Sequence, residues 1–180
     1  VMFSILKKKK TQIARIVGID LSKNMMALGE KRKQALAAHQ LTFKHASAMD
    51  IPFDDNSFDA VTMAFGIRNV DDPMICLQEI YRVLKPQGNV LIMEFSLPSN
   101  RLLKRVYLIY FRYILPFIGG IVSGDKAAYS YLNKTVETFP YGNAFKDLMQ
   151  QAGFQTTYQP LTFGIATLYF GIKKHDVKHL

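Results

Sequence analysis

Short apolar runs alternate with segments of helical period along most of this chain, and that alternation limits the fold more than any other feature. Ile16-Val17-Gly18-Ile19-Asp20 is β-branched and ends on a carboxylate, and Ser22 is placed to cap a helix from Lys23 to about His39. Leu41 to His45 reads as a second strand, 49–57 as a loop rich in turn residues, and Phe58 to Ala64 as a third strand. Asp71-Asp72-Pro73 starts a helix whose apolar positions Ile75, Leu77, Ile80, Val83 and Leu84 carry it to Lys85-Pro86-Gln87-Gly88, where proline and glycine stop it. Asn89 to Phe95 is almost continuously apolar, as a strand is when helices cover both faces of its sheet. Helices are predicted again over 102–115 and 143–151, the second closed by Gly153, while 155–161 and 167–172 form a terminal hairpin around Gly164. The fold class is therefore α/β: an open, doubly wound, mostly parallel sheet with helices on both faces and a C-terminal antiparallel hairpin. Ligands in such a sheet lie beyond the carboxyl ends of its strands. One domain is expected over 12–174, with flanking tails at 1–11 and 175–180.

Composition narrows the function classes. With 180 residues, 49% of them hydrophobic, the chain can bury a real core, so disorder does not describe it. Its one cysteine, Cys76, excludes an internal disulfide and a thiolate zinc site and favours a reducing compartment. No metal site is expected, since Asp54, Asp55 and Asp59 have no matching ligand set. The net charge of +9 suits nucleic acid, an anionic membrane or an anionic small molecule, and much of it is terminal, in Lys7–Lys10 and in 173–179. The strongest apolar stretch, 106–122, is interrupted by Arg112, Pro116 and Gly119-Gly120 and falls short of the roughly 20 residues a spanning helix needs. The methionines Met25, Met26, Met93 and Met149 read as core filler.

A carboxylate where Asp20 stands can accept from both hydroxyls of a ribose, or can simply end the strand and support the Ser22 turn. The residues alone leave both readings open. A dinucleotide-binding G-x-G-x-x-G is absent.

Several blocks together resemble a family. Gly18-Ile19-Asp20-Leu21-Ser22, Ala46-Ser47-Ala48-Met49-Asp50-Ile51-Pro52-Phe53 with Phe58-Asp59-Ala60-Val61, and Arg82-Val83-Leu84-Lys85-Pro86-Gln87-Gly88 resemble class I S-adenosylmethionine (SAM)-dependent methyltransferases, which have a Rossmann-like fold. Ala64-Phe65-Gly66-Ile67-Arg68-Asn69-Val70, Met93-Glu94-Phe95-Ser96, Tyr129-Ser130-Tyr131-Leu132, Phe139-Pro140, Phe145 and Ala152-Gly153-Phe154 narrow the resemblance to the UbiE/MenG quinone C-methyltransferases. It runs from about Ala14 to Lys174. The sequence departs from the pattern at Gln87 (usually glycine), Ser47 (usually Asp or Asn) and Ala64 (often serine). The family's glycine-rich loop, which holds the methionine moiety of SAM, and the strand before it are expected to be missing upstream of Asp20, so the chain is expected to be a truncated methyltransferase.

The resemblance implies SAM as cofactor, bound by Asp20 at the ribose and by Leu21, with Ser47 and Ala48 flanking the adenine through the backbone and Ala64 beside the cofactor. It implies a substrate role for Arg68 and Asn69, which follow their strand directly and would donate to a developing phenolate oxygen as catalytic groups. Tyr131 and Tyr141 are possible orienting groups for the substrate, and no residue stands out as general base. The reaction implied is methyl transfer to a ring carbon of a demethylmenaquinol or a polyprenyl benzoquinol, in menaquinone or ubiquinone biosynthesis. The partners implied are that polyprenyl quinol and peripheral contact with a membrane, in a cytoplasmic protein or one at the inner face of the membrane; a homo-oligomer stays open. Segment 101–113, basic and apolar together, is either a lid contacting a polyprenyl tail or lipid, or an ordinary helix covering the sheet. The alternatives are a catalytically incomplete fragment acting as a binding or assembly partner, a methyltransferase for another small molecule and, ranked last for want of aromatic and basic interleaving, a nucleic-acid binder.

Overall fold

The computed structural model describes residues 13–117 and 126–174, with only the backbone of 126–130. The run Lys7–Lys10, the expected tails 1–11 and 175–180 and the pair Gly119-Gly120 lie outside the described residues.

β1 (Ile16–Asp20) and β2 (Leu41–His45) pair in parallel, from Ile16 opposite Leu41 to Asp20 opposite His45. Between them runs α1 (Lys23–Ala35), capped as the sequence predicts: Ser22 Oγ accepts the Met25 N–H at 3.3 Å. The helix stops short of His39 because Leu36 bonds back to Arg32 and Lys33 and Ala37 turns into the left-handed region at φ 46°. No residue of α1 is buried, and Met25, expected as core filler, is 58% exposed, since a two-stranded sheet offers too little surface to cover a whole helix. Met149, by contrast, is fully buried.

The second sheet follows in the chain. β3 (Phe58–Ala64) leads to α2 (Pro73–Val83) and β4 (Leu84–Phe95). Then come α3 (Arg101–Ile109), a π-helical turn (Tyr110–Ile114), α4 (Lys126–Thr138) and α5 (Asn143–Gln151). β5 (Phe154–Leu161) and β6 (Ala166–Lys173) close the chain, and the sheet order is β3-β4-β6-β5. β3 and β4 are parallel, whereas β6 runs antiparallel to both of its neighbours, so the predicted terminal hairpin is present. β4 starts five residues before the predicted Asn89, because Leu84 already pairs with Phe58 and the Lys85–Gly88 segment is absorbed as an irregularity in the ladder. Gln87, standing where a glycine is usual, takes φ 62° there.

The two sheets are not hydrogen-bonded to each other. Among the described residues no strand lies between β1 and β3. Ile19, Ala48, Met49 and Phe53 nevertheless pack against the main core. That core is built from Cys76, Leu77, Ile80 and Val83 of α2, Phe145 and Met149 of α5, and the inward residues Val90, Ile92 and Tyr169 of the sheet. α2 and α5 thus cover one face of the larger sheet. Its other face is more open than the apolar run of β4 predicts, with Leu91 and Phe170 each 37% exposed.

Candidate cofactor and substrate site

Asp20 ends β1 with its carboxylate exposed, and its Oδ1 accepts the Ser22 N–H at 2.7 Å. Both readings of Asp20 are thus compatible, since one oxygen shapes the turn into α1 while the group as a whole faces solvent at the carboxyl end of its strand. His45, in register beside it, lies with Nε2 2.9 Å from the Leu21 carbonyl and ties the Asp20-Leu21 turn to β2. Leu21 itself is 63% exposed.

The loop after β2 begins with Ala46, whose N–H donates to the Asp20 carbonyl at 3.3 Å. Ser47 Oγ accepts the Met49 N–H at 3.1 Å, a local turn that leaves Ser47 and Ala48 half-buried side by side. The loop is then anchored to α2. Met49 Sδ lies 3.4 Å from the Asp72 N–H, and the Ile51 N–H donates to Glu79 Oε2 at 2.8 Å. Arg82 binds the same stretch through the carbonyls of Ile51 and Phe53, both at 2.8 Å, while its Nε meets Glu79 Oε1 at 2.8 Å. Those bonds hold the Glu79 carboxyl below its usual range and raise the Arg82 guanidinium, Glu79 being the larger cause.

Ala64 ends β3 opposite Met93, and Phe65 then turns at φ 55° while its N–H reaches the Met93 carbonyl at 2.8 Å. The chain winds through a 3₁₀ turn, Ile67–Asn69, that buries Ile67 fully. Arg68 points inward from it. Its Nη1 donates to Glu94 Oε1 at 2.6 Å and to the Phe65 carbonyl at 2.8 Å, and its guanidinium stands 5.2 Å from the Phe95 ring centroid. Glu94 has no solvent exposure and also accepts the backbone N–H groups of Arg68 and Phe95, at 3.3 and 2.8 Å. Arg68 Nε is buried with no hydrogen-bond partner. Asn69 is exposed, with Nδ2 only loosely held, 3.4 Å from the Phe65 carbonyl.

The structure therefore links Asp20, Leu21, Ser47 and Ala48 along one rim, and Met49 ties that rim to Asp72, while Ala64, Arg68 and Asn69 lie on the segment that leads from β3 to Asp72. The two tyrosines lie on later elements, and α4, which carries Tyr131, packs beside the Ile67–Asn69 turn. Tyr141 packs in a second cluster with Leu97, Tyr107 and Phe111, its hydroxyl 3.2 Å from Lys104 Nζ, and Tyr131 is 55% exposed on α4. The sequence motifs give Glu94 no role, although a carboxylate inside an apolar strand signals a buried partner. Among the described residues no cluster of His, Cys, Asp and Glu could hold a metal ion.

An exposed carboxylate at a strand end, a backbone turn beside it and the small side chains of Ala48 and Ala64 fit the nucleoside half of SAM. A cradle for its amino-acid half is not among the described residues. Solved methyltransferase structures share this fold. The chain is similar in structure to a SAM-dependent methyltransferase from Thermotoga maritima, with TM-score 0.62, 22% identity, and coverage of 88% of this chain and 72% of that one. It is similar also to Haemonchus contortus phosphoethanolamine N-methyltransferase 2 in complex with S-adenosyl-L-methionine, with TM-score 0.70, 15% identity, and coverage of 97% and 46%. In sequence it is 40% identical to the demethylmenaquinone methyltransferase of Thermus thermophilus over 168 residues, 93% of this chain and 76% of that protein. Residues 1–173 match the ubiE/COQ5 methyltransferase family, and the chain belongs to that family.

Proposed function

We propose that this methyltransferase binds SAM along the rim from Asp20 to Ala64 and transfers its methyl group to a ring carbon of a demethylmenaquinol or a related polyprenyl benzoquinol. The observation that carries the reading is the bonding that ties the Asp20 strand end to the Ser47-Ala48 loop and that loop to the start of α2, in a chain 40% identical to a demethylmenaquinone methyltransferase. SAM supplies an electrophilic methyl on a sulfonium. The chain's part is to hold the two reactants in line, worth on the order of 7 to 11 kcal/mol when orientation is good, and to stabilise the phenolate that makes the ring carbon nucleophilic. Asn69 is the exposed donor for that oxygen. Arg68, held by Glu94, fixes the turn that presents Asn69.

Titration calorimetry with SAM is the test, on this chain and on a form extended upstream. Asp20→Ala should weaken binding in whichever form binds by about 1.5 to 3 kcal/mol, the worth of hydrogen bonds to a charged group. Unchanged affinity would remove Asp20 from the site. Asn69→Ala should leave SAM affinity within a factor of about two and lower methyl transfer to a short-chain demethylmenaquinol by about tenfold or more; a loss confined to SAM binding would overturn its substrate role.

A further inference from the structure

α3 and the turns after it carry two apolar stripes. The inner one, with Tyr107 and Phe111, is buried against Leu97 and Val136. The outer one is Leu102, Val106, Ile109, Tyr113 and Phe117, spaced at helical intervals and each at least 50% exposed. Exposed apolar side chains scattered singly are ordinary, but a continuous stripe marks a surface that meets something.

A second element stands beside it. Leu102, Leu103 and Val106 line an open cleft of about 600 Å³ whose opposite wall is the β5–β6 turn with Phe163. Phe163 is 85% exposed. Thr162 at φ 48° and Phe163 at φ 58° both occupy the left-handed region, which side-chain-bearing residues avoid. The turn is fixed from within the fold, since Ser96 Oγ donates to the Gly164 carbonyl at 2.8 Å. Among the described residues this strained turn holds a phenyl ring that packing barely covers.

Charge identifies the occupant. Residues 96–124 contain no Asp or Glu, and neither do residues 148–175. Arg101 and Arg105 are exposed along the flank of the outer stripe, while Lys104 turns inward to Tyr141 and Arg112 is held by Glu137. An apolar stripe edged with arginines is the pattern of a helix lying in an anionic lipid interface. A second copy of the chain meeting this face across a two-fold axis would set arginines against arginines.

We propose that the outer face of α3 and the Phe163 turn together dock on an anionic phospholipid membrane, with Phe163, Leu102 and Val106 entering the acyl boundary and Arg101 and Arg105 on the headgroups. The inference does not rest on the proposed reaction, since lipid binding is read with neither SAM nor a quinol present. The chain has no tryptophan, so Phe163→Trp installs a single reporter. With phosphatidylglycerol vesicles its emission should shift to the blue and be quenched by lipids brominated in the acyl chain. Phosphatidylcholine vesicles at equal concentration should have little effect. In flotation of the otherwise unaltered chain, Arg101→Glu with Arg105→Glu should weaken partition into phosphatidylglycerol vesicles by about tenfold or more, as should Leu102→Ser with Val106→Ser. All four side chains are exposed, so far-UV circular dichroism should show an unchanged fold. The proposal is overturned by an unshifted emission together with no flotation, by variants that float like the parent, or by a dimer that Leu102→Ser dissociates.

Discussion

Glu94 is a charge placed wholly out of water, and its position is tolerable only because Arg68 and two backbone N–H groups meet it. Glu94→Ala should therefore lower the stability of the chain by about 3 kcal/mol or more, read from urea unfolding. Arg68→Met combined with Glu94→Leu should recover most of that loss, because removing both partners leaves no orphaned charge; a double variant as unstable as Glu94→Ala would show that the pair does more than neutralise itself. The inward turn of Arg68 was not legible in the sequence. Its partner is 26 residues away on another strand, and only the three-dimensional pairing of β3 with β4 brings the two together. Asp20 and the Ser47-Ala48 turn were legible because strand ends and turn chemistry are local. Tyr131 and Tyr141 are named by the resemblance alone, and the fold places Tyr141 in the cluster that includes Phe95, beside Arg68.

Sequence and structure coincide in the elements where period and capping agree. β1, β2, β3 and α5 run as predicted, since alternation or helical spacing ends there on clear turn residues. β4 is longer than its sequence pattern predicts because Pro86 and Gly88 look like a stop, whereas the ladder accommodates them around Gln87 at φ 62°. α4 was not predicted, its mixed polar sequence giving no strong period. The helix predicted over 102–115 loosens into a π turn at Tyr110–Ile114, just before Pro116, which lacks an N–H and crowds the carbonyl four residues back. α2 also carries the clamp on the loop after β2, and that clamp titrates. With its folded-state pKa depressed, mainly by Arg82, Glu79 stabilises the native chain fully above the unfolded value of about 4.3. The contribution is lost as pH falls through the lower folded value, because the unfolded chain takes up the proton first. Below about pH 4.3, Glu79→Gln should thus lose stability less steeply with falling pH than the parent, measured by urea midpoints across that range; parallel curves would dissociate the clamp from acid unfolding.

At the scale of the molecule, the two sheets are unequal. The β1–β2 pair owns only a small cluster, Ala38 and Leu41 with Ile16 and Phe43, and an isolated pair of strands is marginal in water. It leans on the main core through Ile19, Ala48, Met49 and Phe53, and through Lys44, whose ammonium lies 4.9 Å from the Phe53 ring centroid. Native-state hydrogen exchange should therefore release the amides of 16–20 and 41–45 well before those of 90–94 and 167–171. Simultaneous release would mean that the halves open as one unit. Cys76 makes the same division visible to chemistry. It is the chain's one thiol, it has no solvent exposure, and burial pushes its pKa up to about 12. A disulfide reagent in solution therefore finds no nucleophile until α2 leaves the larger sheet, and the pace of labelling becomes a clock for that half alone, running on undisturbed while the smaller half frays and reseals.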